Sequence, residues 1–327
     1  MSYTIHPAAP EDIRPALDLA LRIFAKYEAP DYPSGAIEQF KADCVENEDY
    51  IDNYISGRHL MFVALDNQKI IGIVCERGDG HISMLFVDGA YHRRGIATAL
   101  MRQMVCELKL RGFDKITVNS SPYGLPFYQY FGFTSTASEQ RENSFIFIPM
   151  AYIPNEIWDV LDADGNKTGR YAERGRPMAS GEYFLIVHVW KRNAKGEWLI
   201  DKRSIRENDD LSGMWETTGG AALAGEDSLT AALREAKEEL DIDLKPQDGT
   251  LFRSYIPEIK GHGAFCAVWV FTYNEPIKSM AFDGSEVCDA RWATADKIRE
   301  MQATGEFLGE QVYPYFDEMI EKWEKKK

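Results

Sequence analysis

Residues 219–244 read GGAALAGEDSLTAALREAKEELDIDL, and the spacing inside this stretch decides how the second half of the chain folds. The opening glycines permit backbone angles and close approaches closed to other residues, and Asp227 or Ser228 is a natural N-cap, so a helix is predicted from there to about Leu240. Leu229, Ala232, Leu233, Ala236 and Leu240 recur at three- and four-residue intervals, which lays one face on a core. Glu235, Glu238 and Glu239 fall off that face and are expected to project together. Like charges at this spacing repel by a few tenths of a kcal/mol per pair on an isolated helix, so something cationic is expected to offset them. A hard divalent cation, Mg²⁺ or Mn²⁺, suits carboxylate oxygens and keeps waters for a substrate phosphate to replace. Arg234 would orient the cluster by pairing with Glu238 or Glu226. A solvated acidic helix face is the plain alternative for the string REAKEEL taken alone.

Upstream spacing changes that judgement. Gly220, five residues, Glu226, seven residues, then Arg234-Glu235-Ala236-Lys237-Glu238-Glu239 resembles the Nudix box, a loop–helix–loop motif of fixed spacing. One position departs: Asp241 stands where the family places glycine, followed by the expected aliphatic Ile242, and Asp tolerates a left-handed helix end. The resemblance implies an α/β/α sandwich that directs water onto a phosphorus of a nucleoside-diphosphate-linked or other diphosphate metabolite. Glu235, Glu238, Glu239 and the Gly220 carbonyl are implied as metal ligands. It also implies a catalytic glutamate from a later loop, Glu286 in Gly284-Ser285-Glu286-Val287, and a substrate pocket touched by Arg203 and Trp215, with a core role as the alternative for Trp215. Residues 158–174 and 181–190 further resemble the isopentenyl-diphosphate isomerase branch of that superfamily. The isomerase requires a protonating cysteine after the tryptophan, and Trp215-Glu216-Thr217-Thr218-Gly219-Gly220 has none, which favours hydrolysis over isomerisation.

Around the box, strands are predicted over residues 157–161, 183–191 and 198–202, with a turn at Asp162-Ala163-Asp164-Gly165. Residues 296–327 read as helical, broken around Gly305, Gly309 and Pro314. In the first half, a short strand over 3–6 precedes helices over 11–27 and 36–55, and runs at 59–65, 69–76 and 81–87 form an antiparallel meander. A helix over 95–108, a strand over 115–119 and a strand over 144–148 closed by Pro149 complete it. Two mixed α/β (α+β) domains are expected, 1–150 and 157–327, joined by a linker at 151–156.

The strand over 81–87 runs into Tyr91-His92-Arg93-Arg94-Gly95-Ile96-Ala97, and the helix beyond buries Ala97, Leu100, Met101, Met104, Val105 and Leu108 at helical spacing. A basic loop opening a helix offers free N–H groups and positive charge to a pyrophosphate. Together with Tyr128-Gln129-Tyr130-Phe131-Gly132-Phe133, this order of elements resembles the GNAT acyltransferase family across nearly the whole first domain. The family motif is Gln or Arg, two residues, Gly, one residue, Gly or Ala, and His92 departs from it at the first position. The resemblance implies a mixed sheet with helices, acetyl-CoA as acyl donor across Leu85, Phe86 and Val87, and its diphosphate on Arg93, Arg94, Gly95, Ile96 and Ala97. It implies Tyr128 as the acid that protonates the departing thiolate and a small amine as acceptor. His81 and Glu76 are the candidate bases. The alternative is a CoA- or metabolite-binding regulatory module without acyl transfer, suggested by His92 and by the lack of a clear base.

Bulk properties narrow the remaining choices. A formal net charge of -15 over 327 residues disfavours sequence-independent attraction to nucleic acid or an anionic membrane. The five cysteines, Cys44, Cys75, Cys106, Cys266 and Cys288, are scattered and include no CxxC pair, so a reducing cytoplasm is expected rather than a disulfide framework. No run approaches the ~18 apolar residues that span a bilayer. The expectation is a cytoplasmic bifunctional enzyme that acts on a small diphosphate and a small amine, with no nucleic-acid or membrane partner and homodimerisation left open.

Overall fold

A computed structural model describes residues 3–142, 144–207, 209–257, 263–277, 284 and 286–325, so Ser285, Lys326 and Lys327 of the segments named above lie outside the described residues. The chain divides into two compact units, Met1–Ile157 and Trp158–Lys327.

The first unit runs β1 (Thr4–Pro7), α1 (Pro10–Tyr27), α2 (Ala36–Phe40), α3 (Glu48–Ile55), β2 (Leu60–Asp66), β3 (Lys69–Glu76), β4 (His81–Val87) and α4 (Ile96–Leu110). It continues through β5 (Ile116–Ser120), α5 (Leu125–Phe131), β6 (Thr134–Ser135), β7 (Gln140–Glu142) and β8 (Phe145–Tyr152). These strands form one mixed sheet in the order β1-β2-β3-β4-β5-β8-β6, with β7 also on β8. The apolar run of β3 is buried because both sheet faces are covered. Ile96, Leu100, Met104 and Leu108 of α4 pack on one face, and Ile13, Leu17, Ala20 and Phe24 of α1 on the other.

One pair positions the site. β4 and β5 are parallel, joined by the α4 crossover, and their register holds only at His81↔Thr117 and Ile82↔Val118. Beyond Ile82 the two strands part.

Two expectations for this half are corrected. Residues 36–55 are not one helix: a wide π-type turn, Lys41–Val45, separates α2 from α3, and Asn47 starts α3 afresh by accepting a hydrogen bond from Tyr50 N at 3.0 Å. Pro149 does not close its strand, so Ala151 and Tyr152, read as linker, belong to β8. The donor Pro149 lacks would face the edge just past the two-residue β6, where Thr136 N instead donates to Pro149 O at 2.8 Å.

The second unit runs β9 (Ile157–Leu161), β10 (Lys167–Glu173), β11 (Phe184–Arg192), β12 (Trp198–Arg203), β13 (Trp215–Glu216), β14 (Gly219–Ala221) and α6 (Ser228–Leu240). β15 (Gly249–Tyr255), β16 (Ala264–Thr272), β17 (Val287–Ala293), α7 (Ala295–Thr304) and α8 (Phe316–Glu324) follow. β9 and β10 pair with each other, and the main sheet is ordered β13-β12-β11-β16-β15, with β14 on β11 and β17 on β12. Alternation along the strands sends Val187, Val189 and Leu199 toward Ala232, Ala236 and Leu240 of α6. Trp190, Trp198 and Ile200 go to the opposite core, with Ile298 of α7 and Met319 of α8. The unit is the expected α/β/α sandwich. Among the described residues no helix is long and apolar enough to cross a membrane.

Candidate active sites

Asp227 caps α6 by accepting from Thr230 N at 2.8 Å, and Asp241 ends it in the left-handed region at φ 52°. Arg234 binds the helix to the loop before it: Nε and Nη2 donate to Glu226 Oε1 and Oε2 at 2.9 and 3.0 Å, and Nη2 also donates to Ala221 O at 2.9 Å. Its Nη1 donates to Glu238 Oε2 at 2.7 Å and Glu235 Oε1 at 3.0 Å. Arg234 thus pairs with both of its expected partners.

The three glutamates differ in exposure, although Glu235 and Glu238 share Arg234 Nη1 and the charge of Glu235 acts on Glu239. Glu238 is exposed, whereas Glu235 is only 7% exposed and seated against Gly220, where a methyl group would lie 2.3 Å from Oε1. β14 brings Gly220 there by pairing with Val187 of β11, and at Gly219 a methyl would meet Val187 O at 2.4 Å, so close approach requires both glycines. Burial pushes the Glu235 carboxyl up to about 7, Arg234 pulls it down, and the charges of Glu238 and Glu286 raise it. Glu239 turns inward, and its Oε2 is buried without a hydrogen-bond partner. Burial first, then the charges of Asp201, Glu216 and Glu235, hold Glu239 well above the ordinary carboxylate range against the pull of Lys191. With Glu235 and Glu238 on Arg234 and Glu239 turned inward, no group of three or more acidic, histidine or cysteine side chains among the described residues is arranged to hold a metal ion.

Glu286 is exposed, and its Oε1 lies 3.5 Å from Arg206 Nη2. Arg203 is already engaged, donating to Glu216 Oε1 at 2.9 Å and Asp209 Oδ2 at 3.2 Å. Trp215 is a core residue, with the Arg291 guanidinium 4.1 Å from its ring centroid. Sequence reasoning missed the groups beneath Glu239. Lys191 and Asp201 are both 0% exposed, with Nζ 3.6 Å from Oδ2, and Thr218 bridges them by accepting from Lys191 and donating to Asp201 Oδ2 at 2.6 Å. The signal was a charged residue ending each of two apolar runs, LIVHVWK and WLID.

In the first unit, the parting of β4 and β5 opens a cavity of about 610 Å³. Leu85, Phe86, Val87, Arg93, Gly95, Ile96, Ala97 and Tyr128 all line it. Arg94 does not line it and instead sets its guanidinium 5.2 Å from the Tyr91 ring centroid. Gly95 caps α4 at φ 79°, and a methyl group there would meet nothing within 4 Å, so its backbone angle rather than crowding calls for glycine. His92 Nε2 donates to Val87 O at 2.8 Å. Tyr128 is buried, and burial, then the charge of Glu28, raises its phenol so that it keeps its proton at neutral pH. Of the two candidate bases, Glu76 is buried and accepts from Gly80 N at 2.8 Å, which fixes a turn. His81 is held to Thr117 Oγ1 at 2.9 Å, and burial lowers it to about 4. Glu28, which lines the cavity, was not anticipated.

Residues 28–154 match the acetyltransferase (GNAT) domain and residues 182–316 the NUDIX domain. An uncharacterised Nudix hydrolase of Listeria monocytogenes is 33% identical over 162 residues, 49% of this chain and 90% of that protein. The uncharacterised N-acetyltransferase YafP of Escherichia coli is 35% identical over 81 residues, 25% of this chain and 49% of that protein. An isopentenyl-diphosphate Delta-isomerase of Shigella flexneri is 26% identical over 151 residues, 44% of this chain and 81% of that protein. The chain belongs to the Nudix hydrolases, and it is an enzyme that joins this domain to an N-terminal GNAT acetyltransferase domain.

Proposed function

We propose that the second unit hydrolyses a nucleoside-diphosphate-linked or related diphosphate metabolite with the aid of Mg²⁺ or Mn²⁺, and that the first transfers the acetyl group of acetyl-CoA to a small amine. The carrying observation for the hydrolase is the buried, partnerless Oε2 of Glu239, set near the charges of Asp201, Glu216 and Glu235. Lys191 pulls against these charges and is shared with Asp201, so the cluster suits a divalent cation. Glu235, Glu238, Glu239 and the Gly220 carbonyl would hold it, with Glu286 near enough to contribute charge. A bound divalent cation lowers the pKa of its water and neutralises a leaving phosphate. Arg234 holds Glu235 and Glu238 in place, while Arg203 is held by Glu216 and Asp209 and Trp215 packs in the core.

For the transferase, the donor would lie along the open edge of β4 with its diphosphate at Arg93, Gly95, Ile96 and Ala97, and Tyr128 would supply a proton to the thiolate. The engagement of Val87 O by His92 favours a second reading, a CoA-binding module without transfer. Both proposals are tested by incubating the chain with diphosphate metabolites and Mg²⁺ or Mn²⁺, and with acetyl-CoA and an amine panel. Metal-dependent cleavage of the diphosphate into two phosphomonoesters that EDTA abolishes, together with thiol release that requires an amine, is expected. Metal-independent hydrolysis overturns the first proposal; CoA binding without thiol release replaces the second with the module.

A further inference from the structure

We propose that Glu28 recognises the acceptor, and that the acceptor is a primary amine presented as its ammonium on an aromatic or branched-aliphatic body. This rests on the acyl-transfer reading of the first unit. A second cavity, of about 360 Å³, shares Glu28, Ser83, Met84, Phe86, Asn119 and Ser121 with the larger one. The two share this lining where β4 and β5 part, so Glu28 borders both.

The walls of the smaller cavity are rich in aromatic side chains. Phe24 stacks on Phe40 with centroids 4.5 Å apart, and Tyr32 meets Phe145 edge-on at 5.8 Å. The charges along it are mainly negative, from Glu28, Asp43 and Glu142. Of the basic groups on its lining, Arg77 lies 3.4 Å from Asp79 and His81 is neutral at physiological pH. Among the described residues no basic side chain pairs with Glu28; its named neighbours are the Ser121 hydroxyl and the equally acidic Asp31. An enclosed carboxylate without a cation is costly, and a charge-assisted hydrogen bond from an ammonium offsets that cost. Flat apolar walls suit the body that carries it, and a hydroxyl in place of the ammonium would leave the carboxylate uncompensated.

Calorimetry with CoA present tests this, using phenethylamine and cyclohexylmethylamine against the alcohols of the same shape. Wild type is expected to bind the amines at least tenfold more tightly than the alcohols. In Glu28→Gln that preference should shrink to about twofold, with CoA affinity measured alongside. Glu28→Asp, which keeps the charge but withdraws it, should retain the preference at several-fold lower affinity, and it carries the test should the Gln variant lose CoA binding. Equal binding of amine and alcohol by wild type, or a preference that survives Glu28→Gln, overturns the proposal. Thiol release from acetyl-CoA in the same samples separates the two readings. Selective amine binding without thiol release upholds recognition and removes transfer, whereas thiol release without amine selectivity removes recognition and leaves transfer standing.

Discussion

Arg234 grips Glu226 through two parallel hydrogen bonds, Nε to Oε1 at 2.9 Å and Nη2 to Oε2 at 3.0 Å, while its remaining nitrogen reaches Glu235 and Glu238. The planar fork makes one side chain serve the loop and the acidic helix together. Glu226 is fixed in turn by accepting from Leu223 N at 2.8 Å. Arg234→Lys keeps the charge and loses the fork, so metal-dependent hydrolysis is expected to fall about 10–100-fold with the fold retained. Turnover at several Mn²⁺ concentrations checks this, because a positioning role predicts weaker apparent metal affinity as well as slower turnover.

Gly220→Ala would place a methyl 2.3 Å from Glu235 Oε1, in a seat that Arg234 also restrains. Hydrolysis is expected to drop at least tenfold, with a loss of about 1–3 kcal/mol from the unit's stability. Denaturant unfolding and turnover of this variant measure both effects, and wild-type values for each would show that the seat is dispensable.

Tyr128→Phe removes the hydroxyl and preserves the aromatic packing beside Phe127 and Phe133. Acetyl transfer is expected to fall about 10²–10⁴-fold with acetyl-CoA affinity unchanged. A variant that keeps its transfer rate would leave Tyr128 a packing residue.

Burial pushes the Glu28 carboxyl up from 4.5 to about 7, with Ser121 pulling it down and Asp31 adding to the rise; Tyr32 and Tyr128 also face it. Because its folded pKa is raised, the folded state holds the proton more tightly, and stability falls as pH climbs from about 4.5 through 7. The loss is on the order of 2 kcal/mol once solvent screening is allowed for. Thermal midpoints of wild type and Glu28→Gln between pH 5 and 8 test the sign: the variant should lose this part of the decline, and an unchanged slope would remove Glu28 as its source.

How much of this was legible in the sequence differed between the halves. Fixed spacing from Gly220 through Glu239 located the acidic helix, its cap at Asp227 or Ser228 and its left-handed end at Asp241, because each is a local requirement of loop or helix, and the structure chose Asp227 as the cap. Helical periodicity could not tell that Glu235 and Glu239 turn inward, since that depends on a missing side chain at Gly220 and on Asp201 and Glu216 from separate strands. Arg203 was read as touching substrate, and only tertiary structure supplies Glu216 and Asp209 to it. Gly95 was legible from its place in the loop motif, but the reason for it, a left-handed backbone at the entry to α4, came from the structure. Glu28 was not, since nothing local distinguishes a glutamate at the end of α1 until the parting of β4 and β5 places a cavity beside it.

The most direct test of the metal-site assignment is Glu239→Gln, followed by Mn²⁺-dependent diphosphate hydrolysis and by the rise in thermal midpoint on adding Mn²⁺. The Glu239 Oε2 atom is buried near like charges, so neutralising the side chain should leave the metal-free midpoint no lower than wild type. The Mn²⁺-induced rise should disappear, and turnover should fall by about two orders of magnitude or more. Wild-type turnover with an undiminished Mn²⁺-induced rise would contradict the assignment.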